Sequence, residues 1–136
     1  MTLADTGPLV ALIDTRDANH ARCVAAAREL PDEPLLITVP CYTEAMYLVG
    51  KSGGFPAQRR LWTLRQSGGL VLHLSSEPEF NRMEELMEAY RDVPMDYADA
   101  SLVAAAEVRG LVRIFTVDGH FYAYRINGTE TFQIVP

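Results

Sequence analysis

"MTLADTGPLV" (residues 1–10) sets a carboxylate and a hydroxyl, Asp5 and Thr6, at the end of a short apolar lead. Gly7-Pro8 and more apolar residues follow. The lead reads as a buried β-strand, and burying an ionised carboxylate is costly unless something pairs with it. Asp5 therefore either caps a following helix or waits for a cation. Residues elsewhere in the chain must decide.

Working outward, "PLVALID" reads as a short helix with Pro8 near its first turn. "DANHARCVAAAREL" is a second helix, with Asp17 or Asn19 as its cap, and "LLITV" a β-branched strand. Pro40 opens the helix "PCYTEAMYLVG", stopped at Gly50, and "KSGG" reads as a loop. "FPAQRRLWTLRQS" has helical spacing of its apolar residues, and "LVLHL" is a strand. Two further helices follow, "PEFNRMEELMEAYRD" and "YADASLVAAAEVRG", the latter ended by Gly110. "LVRIFTV" and "TFQIV" are the last strands. Alternating strands and helices predict parallel pairing and a three-layer α/β/α sandwich with a short, mostly parallel central sheet. In such sheets ligands sit beyond the carboxyl ends of the strands, at a topological switch point.

At 136 residues and 49% apolar composition the chain is expected to be a single domain, residues 1–136, with a real core. Its apolar runs are too short to cross a bilayer, and no secretory leader pattern opens it, so a cytoplasmic protein is expected. Cys23 and Cys41 form neither a disulfide framework nor a metal knuckle. The net charge of −6 argues alone against a nucleic-acid partner, but its distribution does not. No acidic residue lies between Glu44 and Glu77, a stretch that holds Lys51, Arg59, Arg60 and Arg65. These are candidate nucleic-acid phosphate contacts, unless they simply form a solvated helix face. Trp62 among them suits core or a dimer interface better than base stacking.

On this scaffold Asp5, Glu44, Asp96, Asp99 and Asp118 all fall where elements meet. Each has an ordinary explanation by itself. Asp96 or Asp99 suits a helix N-cap, Asp118 a turn before Gly119, and Glu44 a helix-dipole partner. Together, carboxylates gathered at one edge repel one another unless protons or cations lie between them. Oxygen donors favour hard ions, so Mg²⁺ or Mn²⁺ is the physical choice. No histidine spacing fits zinc, and no nucleophile elbow, P-loop or dinucleotide fingerprint is present.

The sequence resembles PIN-domain proteins of the VapC-like ribonuclease toxin kind, over nearly the whole chain. The resemblance rests on "ADTGPLVALID" with Asp5, "CYTEAMYLV" with Glu44, "PMDYADASLVAAAEVRG" with Asp99 and "IFTVDGHF" with Asp118. It implies a Mg²⁺- or Mn²⁺-dependent endoribonuclease with Asp5, Glu44, Asp99 and Asp118 as the acidic quartet. Asp96 matches a further acid that binds metal or orients the third ligand. Thr6 and Thr116 match small hydroxyl positions beside the site. The resemblance also implies a small cognate antitoxin and a homodimer. Three other readings stand beside it: a PIN-like RNA-processing nuclease that is no toxin, a non-cleaving RNA- or protein-binding module, and a phosphotransfer protein. The last is weakened because Gly7 stands where a haloacid-dehalogenase-like phosphatase would want its second Asp.

Overall fold

The computed structural model describes residues Met1–Pro136. In chain order the elements are β1 (Thr2–Ala4), α1 (Thr6–Ile13), α2 (His20–Glu29), β2 (Leu35–Thr38), α3 (Val39–Gln66), β3 (Leu70–His73), α4 (Glu77–Ala89) and α5 (Tyr97–Arg109). After α5 come β4 (Arg113–Phe115), a 3₁₀ turn (Gly119–Tyr122), β5 (Arg125–Ile126), β6 (Glu130–Thr131) and β7 (Gln133–Val135). Five strands form one sheet in the order β3-β2-β1-β4-β7. All its pairings are parallel, with Leu3 opposite both Leu36 and Ile114. β5 and β6 make a separate antiparallel hairpin that the sequence reading did not anticipate.

The sheet is covered on both faces, as continuous apolar strands require. Neighbouring strand residues point to opposite faces, and β4 shows the result. Phe115 packs with Ala11, Cys23 and Ala26 of α1 and α2, whereas Ile114 joins the larger cluster with Leu102 and Val103 of α5. α5 is the central helix: Ala100 through Ala106 are all buried, and four of these seven residues are alanine, which lets neighbours approach closely. Its first turn is pinned to the end of β2, where the Ser101 and Thr38 hydroxyls are 2.7 Å apart. Gly110 closes the helix at φ 65°, as expected of a C-terminal glycine.

The stretch around "KSGG" departs from expectation. α3 does not stop at Gly50 but runs on to a sharp bend at Gly54, whose φ of 66° and ψ of −162° only glycine adopts easily. Beyond the bend Pro56 sits in the first turn of the returning segment. That segment folds back along the first, with the Gln58 side-chain amide donating to the Met46 carbonyl at 3.2 Å. At Gly50 a Cβ would meet only the movable end of the Gln58 side chain, so this glycine leaves room for the Gln58 amide without being required by the backbone. Glycine therefore marks packing at Gly50 and chain reversal at Gly54. At α2 neither expected cap engages the helix: Asn19 makes no capping bond, and Asp17 accepts instead from the Asn19 amide at 2.8 Å. No helix is long and apolar enough to cross a membrane.

Gly54→Ala is expected to lower stability by about 1–3 kcal/mol, the cost of holding a side chain in that backbone region. Urea unfolding of the two proteins measures it; equal midpoints would show that the bend relaxes freely.

Candidate active site

The strand order reverses at β1: β2 and β3 lie on one side of it and β4 on the other. The crevice outside the carboxyl ends of β1 and β4 is therefore the switch point. Asp5 follows β1 directly, and Asp118 lies three residues past the end of β4. A single hydroxyl joins them. Thr116 Oγ1 donates to Asp5 Oδ2 at 2.7 Å and accepts the Asp118 amide at 3.0 Å. Asp5 Oδ1 meanwhile accepts the Thr6 amide at 2.7 Å, capping α1. Capping and site membership, posed as alternatives by the sequence, coexist in one carboxylate.

Asp96 and Asp99 divide the two expected roles between them. Asp96 is exposed and caps α5, accepting the Asp99 amide at 2.7 Å. Asp99 is buried, and its Oδ2 accepts the hydroxyl of Tyr124 at 2.8 Å. Tyr124 is fully buried and was not anticipated as a partner, because nothing in the sequence relates it to α5. Glu44 is exposed on the second turn of α3, and its Oε2 accepts the Thr6 hydroxyl at 3.1 Å. Thr6 thus holds Asp5 through its amide and Glu44 through its side chain. Thr116, expected to position Asp118, does so and holds Asp5 as well. Cys41 Sγ lies 4.0 Å from Asp5 Oδ1, and burial pushes its thiol up to about 12, so it stays neutral.

The one side chain with a basic nitrogen against these acids is His120, whose Nδ1 lies 3.3 Å from Asp118 Oδ1. No lysine or arginine forms an ion pair with Asp5, Glu44, Asp96, Asp99 or Asp118. Burial raises Asp5 to about 6, opposed by the Thr116 and Thr6 hydrogen bonds and reinforced by Asp118 and Glu44. Asp99 is raised to about 7, again chiefly by burial, with the Tyr124 bond opposing and Asp96, Asp5 and Asp118 adding. Carboxylates that are expensive to ionise and lack a cationic partner fit a hard divalent ion. The tightest potential ligand set holds Asp99 and Asp118, but its third member is His120 rather than Asp5, Glu44 or Asp96. One donor atom from each of the three lies within 4.8 Å of the others. In the sequence the one signal for His120 is its place two residues after Asp118.

The basic residues do not converge on the acids as a group. Lys51 lies seven residues after Glu44 in α3, on the same helix face, with its ammonium 5.8 Å from the Tyr47 ring. Arg59 stacks over Phe55 at 4.9 Å beside the Gly54 bend. Arg60 donates to the Ile13 carbonyl at 3.4 Å, at the end of α1 remote from Asp5, about 12 Å along the helix. Arg65 lies along the outer strand β3, near Leu70 and Leu72. Trp62 is not core: it is 42% exposed and meets Tyr42 edge-on at 5.7 Å.

The Asp5 shift has a defined consequence for stability. Unfolded Asp5 ionises near 3.8 and folded Asp5 near 6, so between those values the folded chain holds the extra proton. Its favourable contribution is present below about pH 4 and lost as pH rises to 6 and beyond. In chelator, Asp5→Asn, which keeps the oxygen that caps α1, is therefore expected to stabilise the protein at pH 7.5 by about 1–3 kcal/mol. The gain should shrink towards pH 4. Thermal melts of both proteins across this range check it, and a pH-independent difference would refute it.

The geometry accords with known proteins. The family model for the PIN domain matches residues 2–127. Among solved structures, VapC20 of Mycobacterium tuberculosis, a sarcin–ricin loop cleaving toxin, superposes with a TM-score of 0.82 at 19% identity. That match covers 90% of this chain and 94% of the other. FitAcB of Neisseria gonorrhoeae matches with a TM-score of 0.67 at 20% identity, covering 98% and 97% of the two chains. VapBC2 of Rickettsia felis, bound to a DNA fragment from its promoter, gives 0.67 at 14% identity over 99% and 98%. No curated protein sequence matches significantly. With a family match spanning all of β1 to β5 and a parallel sheet whose switch point gathers the acids, the chain belongs to the PIN domain family.

Proposed function

We propose that this chain is a Mg²⁺- or Mn²⁺-dependent endoribonuclease, a single PIN-like domain over residues 1–136 that serves as the toxin of a toxin–antitoxin pair. The observation that carries the reading is the set of uncompensated carboxylates at the switch point, where Thr116 ties Asp5 to Asp118 and Tyr124 holds Asp99. Asp5, Glu44, Asp99 and Asp118 would hold the ion, with Asp96 beside them. When bound, a divalent ion supplies an activated water and neutralises charge on a phosphodiester.

The protein's own groups serve that chemistry by position. Thr116 and Thr6 fix the Asp5 carboxylate through both of its oxygens, and Thr6 also orients Glu44. Hydrogen bonds of this kind set ligand direction and are expensive to lose. No side chain acts as nucleophile, since Cys41 is buried and kept as a neutral thiol. Lys51, two turns along α3 from Glu44, is the basic residue best placed to meet an incoming RNA phosphate. Arg59, Arg60 and Arg65 extend the same acid-free stretch as weaker, salt-sensitive contacts. The sarcin–ricin loop cleaving toxin among the structural neighbours supports RNA as the substrate, and a further neighbour, a toxin–antitoxin complex from Klebsiella pneumoniae, supports a small protein inhibitor. A homodimer acting in the cytoplasm completes the proposal.

Cleavage of single-stranded RNA with Mn²⁺ tests it. Asp5→Asn and Asp118→Asn are expected to lose at least about a hundredfold in rate, the scale of removing a group that stabilises the transition state. Lys51→Ala is expected to weaken RNA binding and flatten its salt dependence. If Asp5→Asn protein cuts RNA as fast as wild type, the assignment fails.

A further inference from the structure

Asp118 opens the 3₁₀ turn Gly119–Tyr122, and that turn brings a nitrogen donor to the acids. Asp118 Oδ1 accepts the His120 amide at 2.9 Å, fixing the His120 backbone relative to the carboxylate. The ring Nδ1 lies 3.3 Å from the same oxygen, and the His120 side chain is 49% exposed, open to a hydrated ion. Behind it the Tyr124 ring lies 6.4 Å away, centroid to centroid, and the Tyr124 hydroxyl holds Asp99 Oδ2 at 2.8 Å. One aromatic side chain therefore backs His120 and orients Asp99. Donor atoms of Asp99, Asp118 and His120 fall within 4.8 Å of one another.

We infer that His120 is a direct nitrogen ligand of the metal in this site and biases it towards Mn²⁺ over Mg²⁺. The inference rests on the proposed reading of the acids as a metal site. Mg²⁺ prefers oxygen donors and retains its waters, whereas an imidazole nitrogen gains more from a transition ion. An all-carboxylate site would discriminate less between the two. His120 thus changes which ion the site favours without altering the acidic set.

The test uses Mn²⁺ alone with the whole protein. Pulsed EPR of the Mn²⁺-loaded wild type is expected to show nitrogen hyperfine coupling, and His120→Ala is expected to abolish it. Titration should show Mn²⁺ affinity falling at least about tenfold in the variant, the lower bound for losing even an indirect partner of a metal ligand. Mg²⁺ affinity, read by competition, should change much less. Wild type that binds Mn²⁺ with no nitrogen coupling overturns this inference and leaves the metal site standing. Wild type that binds no Mn²⁺ overturns both. An unchanged ratio of Mn²⁺ to Mg²⁺ affinity in His120→Ala overturns the selectivity.

Discussion

The Thr116 hydroxyl, donating to Asp5 and accepting from the Asp118 amide, ties together the two strand ends that flank the switch point. β1 and β4 are already paired in parallel below it, with Ala4 opposite Phe115. The hydroxyl carries that register one step beyond the sheet, into the crevice. Without it, Asp5 would lose the acceptor bond that opposes its burial, and the chain after β4 would lose the anchor that sets Asp118. The link sets the Asp5 carboxylate beside the backbone that carries Asp118, and the Asp118 charge adds to the cost of ionising a buried Asp5.

The fold sustains that cost by giving the acids structural work. Asp5 caps α1, Asp96 caps α5 and Asp118 caps the 3₁₀ turn, each offering a side-chain oxygen to otherwise unpaired backbone amides. Helix N-termini also carry partial positive charge, which tempers repulsion among carboxylates gathered there. Glu44 and Asp99 cap nothing; Glu44 is exposed, whereas Asp99 is buried and relies on Tyr124. Asp99 is accordingly the acid pushed furthest, to about 7.

Away from the crevice, a third buried acid shows the contrasting solution. Glu79 caps α4 reciprocally with Ser76 and also meets the His73 ring at 2.5 Å. Burial would raise its carboxyl, but the Ser76 and His73 hydrogen bonds outweigh burial and hold it below its ordinary value. A carboxylate meant to stay ionised inside this protein is surrounded by donors. The crevice acids are left short of them, and that difference separates a structural acid from a candidate ligand.

Local pattern sufficed for the order of strands and helices, the parallel sheet and the positions of Asp5, Glu44, Asp96, Asp99 and Asp118. Strand ends, caps and helix starts are written in short-range residue choice. Where a glycine had two possible meanings, local pattern failed. Gly50 reads as a helix stop, yet the helix runs through it and turns only at Gly54, with the Gln58 side chain lying against Gly50. The hairpin β5–β6 was missed because two-residue strands carry no period. The sequence by itself determined which acids stand at element boundaries, because boundaries are set by neighbours along the chain. Only the tertiary structure decided that Thr116 joins Asp5 to Asp118, that Tyr124 holds Asp99, and that Asp99 comes beside Asp118 and His120. Those contacts depend on which strands become adjacent, and that adjacency comes from burying the whole sheet rather than from any local run of residues.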